Sequence, residues 1–297
     1  MESSPEFEEL LDLLDLQPNG LNDPNDRRSF RGGSPKGRTR ALFGGQLVAQ
    51  ALMAAGRTTP QDRVPHSLHA YFLRPGDPTK VLEFAVEAIR DGRNYHHRQV
   101  VVTQEGREIF RQLAGFTVDQ PGPHYQALTA QHADADGVDP AGFTDYIGWT
   151  MAGTDNPDHP WPSETTAIEV TFEQAPPADR GGVVTGLLRM WMRLRGSVPG
   201  SDPLLHGALL AWMSDKTLAD LAILCHGRRW LDTGVTSVSL DHSMWFHEPV
   251  RADGWLRFDQ QVDHTAGGRG LVRGRFVTPD GRQVAAAAQE AVVGLPD

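Results

Sequence analysis

The segment Leu204-Leu205-His206-Gly207-Ala208-Leu209-Leu210-Ala211-Trp212-Met213-Ser214-Asp215 decides the fold of this 297-residue chain. Asp202 before it is suited to cap a helix, and Pro203 to take the first helical position, where no amide donor is needed. The residues that follow are apolar on nearly every side, so we expect a helix wrapped by protein. At helical spacing, Asp215 lies at the C-terminal end of one row of apolar side chains along this helix.

The carboxylate of Asp215 admits two interpretations. Burying it costs free energy unless hydrogen bonds or a chemical task compensate that cost. In the first interpretation, Ser214 and Asp215 cap a second helix that begins at Lys216. In the second, Asp215 is a buried functional group. The helix alone does not decide between them.

Composition bounds the class of protein. The chain has 28 basic and 38 acidic residues, a net charge of -10, and 39% apolar residues. An acidic chain with ample apolar content is typical of a globular protein and argues against a general nucleic-acid binder. No apolar run reaches about 18 residues, so no membrane span is expected. The single cysteine, Cys225, excludes an internal disulfide and a cysteine-based zinc site. The acidic residues 1–6 lack the pattern of a signal peptide, and we expect a cytoplasmic protein.

The two halves of the sequence repeat each other. Each has an apolar helix, then a strand that ends in proline, a long strand and a hairpin. The segment 66–75 aligns with 240–249 at an offset of 174 residues, and 103–107 aligns with 278–282 at nearly the same offset. A repeat this long indicates a duplicated domain. Each unit is predicted to be α+β, a buried helix wrapped by an antiparallel sheet.

Four motifs carry a resemblance to a known family. They are Leu42-Phe43-Gly44-Gly45-Gln46, His69-Ala70-Tyr71-Phe72-Leu73-Arg74-Pro75-Gly76-Asp77, Leu240-Asp241-His242-Ser243-Met244-Trp245-Phe246-His247 and Ala288-Gln289-Glu290. The chain resembles the acyl-CoA thioesterase II family over nearly its whole length, least in 119–165. The resemblance implies a double hot-dog fold, with two antiparallel sheets each wrapped around a central helix.

The resemblance and the repeat together imply a domain organisation. An N-terminal hot-dog domain is expected over 1–118, with a degenerate site. A connecting region rich in Gly, Pro, Asp and Ala follows over 119–165. A catalytic C-terminal hot-dog domain is expected over 166–297. Sheet edges that meet between the halves would make one continuous surface, and we expect a homo-oligomer.

The resemblance also implies an activity and its residues. Such enzymes hydrolyse acyl-CoA to a free fatty acid and coenzyme A, with no cofactor and no metal. An Asp, a Ser or Thr, and a Gln hold the attacking water. Carried over by position, these are Asp215, Ser239 and Gln289. The chemistry fits, since a thioester needs an oriented and partly deprotonated water more than a covalent intermediate.

The asymmetry of the repeat supports a functional role for these three residues. The corresponding positions of the first half are all apolar: Ala55 for Asp215, Pro65 for Ser239 and Ala114 for Gln289. If the polar side chains only stabilised the fold, both halves would need them.

Other polar residues favour structural interpretations. Alternation along a strand predicts that Asp241 and Ser243 share a face with Ser239, whereas His242 points to the other face, so these residues make no triad. His66 and His69 likewise diverge, which disfavours a metal site. Three tryptophans are expected in the core: Trp191, Trp212 and Trp245.

The phosphates of coenzyme A call for local basic charge in an acidic protein. The candidates are the 27–40 cluster, Arg90, Arg93, Arg98, Arg269, Arg273 and Arg275. Two other functions stay open at this stage. One is a hot-dog hydratase or dehydratase, which calls for a differently placed Asp/His pair. The other is a non-catalytic protein that binds acyl-CoA or lipid.

Overall fold

The computed structural model describes residues 3–20, 28–35, 42–127, 138–154, 166–176 and 183–296. Helices and strands are bounded as follows in that part of the chain. The helices are α1 (Pro5–Leu14), α2 (Gly44–Gly56), α3 (Tyr146–Gly153), α4 (Pro203–Ser214) and α5 (Leu218–Leu224), with a 3-10 turn at Pro140–Gly142. The strands are β1 (Gln17–Pro18), β2 (Arg28–Gly32), β3 (Val64–Phe72), β4 (Leu82–Asp91), β5 (Tyr95–Gln104), β6 (Arg107–Thr117), β7 (Thr144–Asp145), β8 (Ile168–Phe172), β9 (Leu187–Leu194), β10 (Asp241–Phe246), β11 (Leu256–Ala266), β12 (Arg269–Val277) and β13 (Gln283–Val292).

These strands form one continuous antiparallel sheet. Their order is β1-β2-β4-β5-β6-β3-β10-β13-β12-β11-β9-β8-β7. The halves join where β3 pairs with β10, and His69 lies directly opposite Ser243 in that pairing. The two predicted sheets therefore meet edge to edge. The outermost strands, β1 and β7, have two residues each, which limits further pairing at the ends of the sheet.

Two tight hairpins are built on turns that contain glycine. Glu105 and Gly106 link β5 to β6 with φ of 50° and 77°, and Gly267 and Gly268 link β11 to β12 with φ of 56° and 73°. Two successive residues with positive φ are typical of the turn whose twist matches paired strands. Glycine takes such angles without steric cost, so the chain reverses direction within two residues.

The central helices α2 and α4 pack against each other in opposite directions. A Cβ added to Gly56, at the end of α2, would lie 2.4 Å from the Leu204 side chain at the start of α4. A Cβ on Gly45, at the start of α2, would lie 2.5 Å from the carbonyl oxygen of Trp212 near the end of α4. Glycine at position 45 lets the two backbones approach closely, and glycine at position 56 makes room for the Leu204 side chain. Both helices are buried as predicted.

The start of α4 also follows the prediction. Asp202 is its N-cap and accepts a hydrogen bond from the Leu204 amide at 3.0 Å, and Pro203 is the first helical residue. The tryptophan prediction is only partly right. Trp191 and Trp212 are buried, whereas Trp245 is 39% exposed on the outer face of the sheet, where it packs against His69. None of the helices described is long and apolar enough to cross a membrane.

Candidate active site

Asp215 lies at the junction of α4 and α5. It is the C-cap of α4, and the N-cap of α5 is Thr217, which makes no side-chain capping hydrogen bond. The Ser214 hydroxyl oxygen lies instead 2.8 Å from the Ala211 carbonyl oxygen, within α4 itself. The interpretation that Ser214 and Asp215 cap the second helix is therefore wrong. The Asp215 carboxylate is turned into the protein, with only 6% of the residue exposed.

Three hydrogen-bond donors converge on this carboxylate. Ser239 Oγ donates to Asp215 Oδ1 at 3.1 Å, and Gln289 Nε2 donates to the same oxygen at 2.6 Å. Gln289 Nε2 also hydrogen bonds to Ser239 Oγ. The third donor is the backbone N–H of Gly45. The structure thus brings together Asp215, Ser239 and Gln289, although 24 and 50 residues separate them along the chain.

Ser239 reaches this cluster because the strand pairing is irregular beside it. Ser239 forms an isolated bridge with Ala291, whereas β10 pairs Ser243 with Ala288. These pairings differ by one residue, which breaks the alternation of side chains between Ser239 and β10. The prediction that Ser243 shares the face of Ser239 is therefore wrong. Ser239 and the fully buried His242 both point inward.

The environment of Asp215 tunes its basicity. Burial raises the pKa of Asp215 to about 6, and the hydrogen bonds from Gln289, Ser239 and Gly45 oppose this rise. A carboxyl with this pKa is ionised near neutral pH and is a stronger base than an exposed aspartate. Its neighbour His242 is neutral at such pH, because burial lowers the pKa of His242 to about 4.

The first half of the chain supplies one wall of the site. Gly44 and Gly45 open α2, and a Cβ on Gly44 would lie 2.5 Å from Asp215 Oδ2. Amides in the first turn of a helix lack intrahelical acceptors and carry the positive end of the helix dipole. This contact was not predicted from the sequence. The signal was the pair of adjacent glycines at a helix start, which indicates close approach of another group.

Several predicted phosphate ligands are engaged elsewhere. Arg98 is 3% exposed, and its side chain pairs with Asp91 and Thr58. Arg269 pairs with Glu290, and Arg273 with Asp263. Four candidates are exposed and form no ion pair with other described residues: Arg28, Arg90, Arg93 and Arg275. In the 27–40 cluster, Arg27 and residues 36–40 lie outside the described residues.

The two halves of the chain match known protein families. The protein-family model described as the acyl-CoA thioesterase N-terminal domain matches residues 34–117 of the sequence. The family model described as the acyl-CoA thioesterase C-terminal domain matches residues 144–293. The chain belongs to the acyl-CoA thioesterase family. The chain is 34% identical to human acyl-coenzyme A thioesterase 8, and the alignment covers 91% of this chain and 86% of the relative.

Further relatives of this thioesterase are bacterial. Acyl-CoA thioesterase 2 of Haemophilus influenzae is 32% identical over 89% of this chain and 91% of its own. The crystal structure of the acyl-CoA thioesterase II TesB2 from Mycobacterium marinum superposes with a TM-score of 0.74 at 31% identity, over 97% of this chain and 98% of that one. The predicted double hot-dog fold is confirmed.

Proposed function

We propose that this thioesterase hydrolyses acyl-CoA with a water molecule held by Asp215, Ser239 and Gln289. The observation that carries the proposal is the convergence of Ser239, Gln289 and the Gly45 amide on one buried carboxylate. A hydroxyl and an amide on either side of a basic carboxylate can fix the hydrogen-bonding directions of a single water.

The reaction needs one proton acceptor and a set of donors. Asp215 takes a proton from the water while its oxygen adds to the thioester carbonyl carbon. Negative charge then develops on the carbonyl oxygen. The N–H of Gly45 is engaged by Asp215, so we assign the stabilisation of this charge to the other first-turn N–H groups of α2. The tetrahedral intermediate collapses with cleavage of the C–S bond, and the thiolate of coenzyme A takes the proton from Asp215. A free fatty acid and coenzyme A leave.

We assign the catalytic role to the C-terminal domain, 166–297, and regard the N-terminal domain, 1–118, as a degenerate copy joined to it by the 119–165 connection. The three positions equivalent to the site are buried and apolar in the first copy: Ala55, Pro65 and Ala114. The N-terminal domain still contributes α2. It therefore takes part in the site without carrying a second one.

The test is release of free thiol from a panel of acyl-CoA esters by the purified full chain. Thiol release that is lost in Asp215→Asn supports the proposal. A protein that only binds acyl-CoA, or a hydratase, would release no thiol, and either outcome would overturn it. The panel also reports the preferred acyl chain length.

We further propose a homo-oligomer that forms through the outer face of the sheet. Tyr71, Leu113 and Trp245 expose apolar surface there, around the junction of β3 and β10. A second copy of the chain suits this face because the pseudo-symmetric junction allows a self-complementary contact. Light scattering should give a mass of at least two chains, and Trp245→Glu should lower it. A monomeric native protein would contradict this proposal.

We propose a cytoplasmic location. The lone cysteine, Cys225, is consistent with a reducing compartment. One yeast relative, 25% identical, is named a peroxisomal acyl-coenzyme A thioester hydrolase, so fractionation of the native cell should include organelles where these exist. Enrichment of the protein in an organelle fraction would refute the proposal.

A further inference from the structure

A second layer of buried polar groups lies behind Gln289. His242, on β10, is fully buried, and its Nε2 is 2.8 Å from Ser214 Oγ. Ser214 is the last residue of α4 and immediately precedes Asp215. This histidine therefore connects the end of the central helix with the sheet. The proposed reaction requires no contact of His242 with the water or the substrate.

His242 and Gln289 face each other across neighbouring strands. The pairing of β10 with β13 puts Ser243 opposite Ala288, and its next step puts His242 opposite Gln289. Gln289 Oε1 and His242 Nδ1 are both buried, and neither has a hydrogen-bond partner among the described residues. The side chain of Gln289 raises the pKa of His242 against the larger effect of burial, as expected for an oxygen near the ring.

The orientation of the Gln289 amide matters for the site. Its Nε2 must face Asp215 and Ser239, because a half-turn of the amide would direct Oε1 at the carboxylate. A neutral imidazole has one N–H donor and one acceptor. Ser214 Oγ lies 2.8 Å from both the Ala211 carbonyl oxygen and His242 Nε2, and it has one hydrogen to donate. With that hydrogen directed at Nε2, the ring hydrogen is on Nδ1, where it meets the otherwise unpartnered Oε1 of Gln289.

We infer that His242 is a positioning residue whose Nδ1–H holds the carbonyl oxygen of Gln289, so that the amide nitrogen faces Asp215 and Ser239. The inference rests on the proposed function, since it gives Gln289 its orientation in that site. His242 acts through Gln289 and is not itself a catalytic residue.

Two variants of His242 separate positioning from packing. His242→Asn keeps a donor near the position of Nδ1, whereas His242→Leu keeps bulk and removes it. We expect kcat to fall about tenfold in His242→Leu, the loss typical of one hydrogen bond, with KM within about twofold. His242→Asn should retain most of the rate. The acid limb of the kcat/KM profile should move to higher pH in His242→Leu, because a misoriented amide no longer stabilises the Asp215 carboxylate.

A double-mutant cycle completes the test. In a Gln289→Ala background, His242→Leu should cost no further rate, because the group that it orients is gone. An equal loss in both backgrounds, or equal losses in His242→Leu and His242→Asn, would overturn the inference.

The tautomer of His242 in the unaltered enzyme gives a readout that depends on no variant. NMR chemical shifts of the ring should report a hydrogen on Nδ1. A neutral ring with its hydrogen on Nε2 would overturn the inference. These outcomes are distinct from failure of the proposed function, which would appear as full turnover in Asp215→Asn.

Discussion

The backbone N–H of Gly45 donates a hydrogen bond to the carboxylate of Asp215, across the boundary between the two halves of the chain. Gly45 lies in the first turn of α2, and Asp215 caps the end of α4. The positive end of one central helix thus meets the carboxylate at the end of the other. Because each half supplies one partner, the site needs the first half even though that half lacks the polar residues.

We predict that Gly45→Ala lowers both activity and stability. The added Cβ would lie 2.5 Å from the Trp212 carbonyl oxygen, and backbone cannot move away as a flexible side chain would. Overpacking of this kind costs about 1 to 3 kcal/mol of unfolding free energy, and the displaced N–H should lower kcat. Gly142→Ala is the matched control, since a Cβ there meets nothing within 4 Å. Equal behaviour of the two variants in urea unfolding and turnover would contradict the close contact.

We predict that Asp215→Asn lowers kcat by roughly two to four decades, because it keeps the shape of the side chain and removes the base. Ser239→Ala and Gln289→Ala should each cost less, since either leaves the base in place. The three losses should not add, because groups that hold one water act as a unit. Single-turnover rates of the single and double variants check this. Strict additivity, or near-native turnover in Asp215→Asn, would end the assignment.

We predict an acid limb near pH 6 in the profile of kcat/KM. Burial raises the pKa of Asp215 to about 6, and the carboxyl must be ionised to act as a base. Activity should therefore rise with pH through this value and level off above it. A second carboxyl nearby is that of the half-buried Asp220, whose pKa is raised to about 7 by desolvation while a hydrogen bond from Tyr146 opposes the rise. Asp220→Asn should keep the acid limb near pH 6. If the limb disappeared in that variant, Asp215 would not be the base.

The sequence was sufficient for the main features of the fold because its signals are local or repeated. The Asp202-Pro203 helix start, the hairpin in each half and the long repeat all correspond to observed features. The face of Ser239 was not predictable, because it depends on a one-residue register shift that strand alternation does not reveal. Trp245 was misjudged because its strand has one face turned away from the core.

The polar neighbours of Asp215 were predictable only in part. The resemblance supplied Ser239 and Gln289, and the apolar first copy supported them. The contact with Gly45 and the pairing of His242 with Gln289 depend on how the two helices cross and how β10 meets β13. Neither relationship leaves a mark at a fixed sequence spacing. Both emerge only from tertiary packing.

We predict that KM for acyl-CoA rises with ionic strength, because a chain with a net charge of -10 must hold an anionic substrate with local basic residues. Raising the salt from about 0.05 M to about 0.5 M shortens the screening length severalfold and should raise KM, with kcat nearly unchanged. Single glutamine variants of Arg28, Arg90, Arg93 and Arg275 test the four exposed candidates one at a time. The variant with a raised KM and a flattened salt dependence identifies a phosphate ligand. A KM independent of salt would exclude such a contact.

We predict that Asp215 costs the protein stability at neutral pH. Its pKa is about 6 in the native state against 3.8 for a free aspartate, so the native state holds this proton more tightly than the unfolded chain. The unfolding free energy that this group contributes therefore falls as pH rises from about 4 to about 6, and it stays constant above that range.

Asp215→Asn has no such ionisation. Its unfolding free energy relative to the native protein should therefore increase with pH over this window, by up to about 3 kcal/mol at 1.36 kcal/mol per pKa unit. Urea unfolding at pH 4 to 8 measures the difference. Asp220→Asn offers a matched comparison whose window should extend to about pH 7, because burial raises the pKa of Asp220 further. A carboxylate that merely stabilised a helix end would have a lowered pKa, and the difference would then change with pH in the opposite direction.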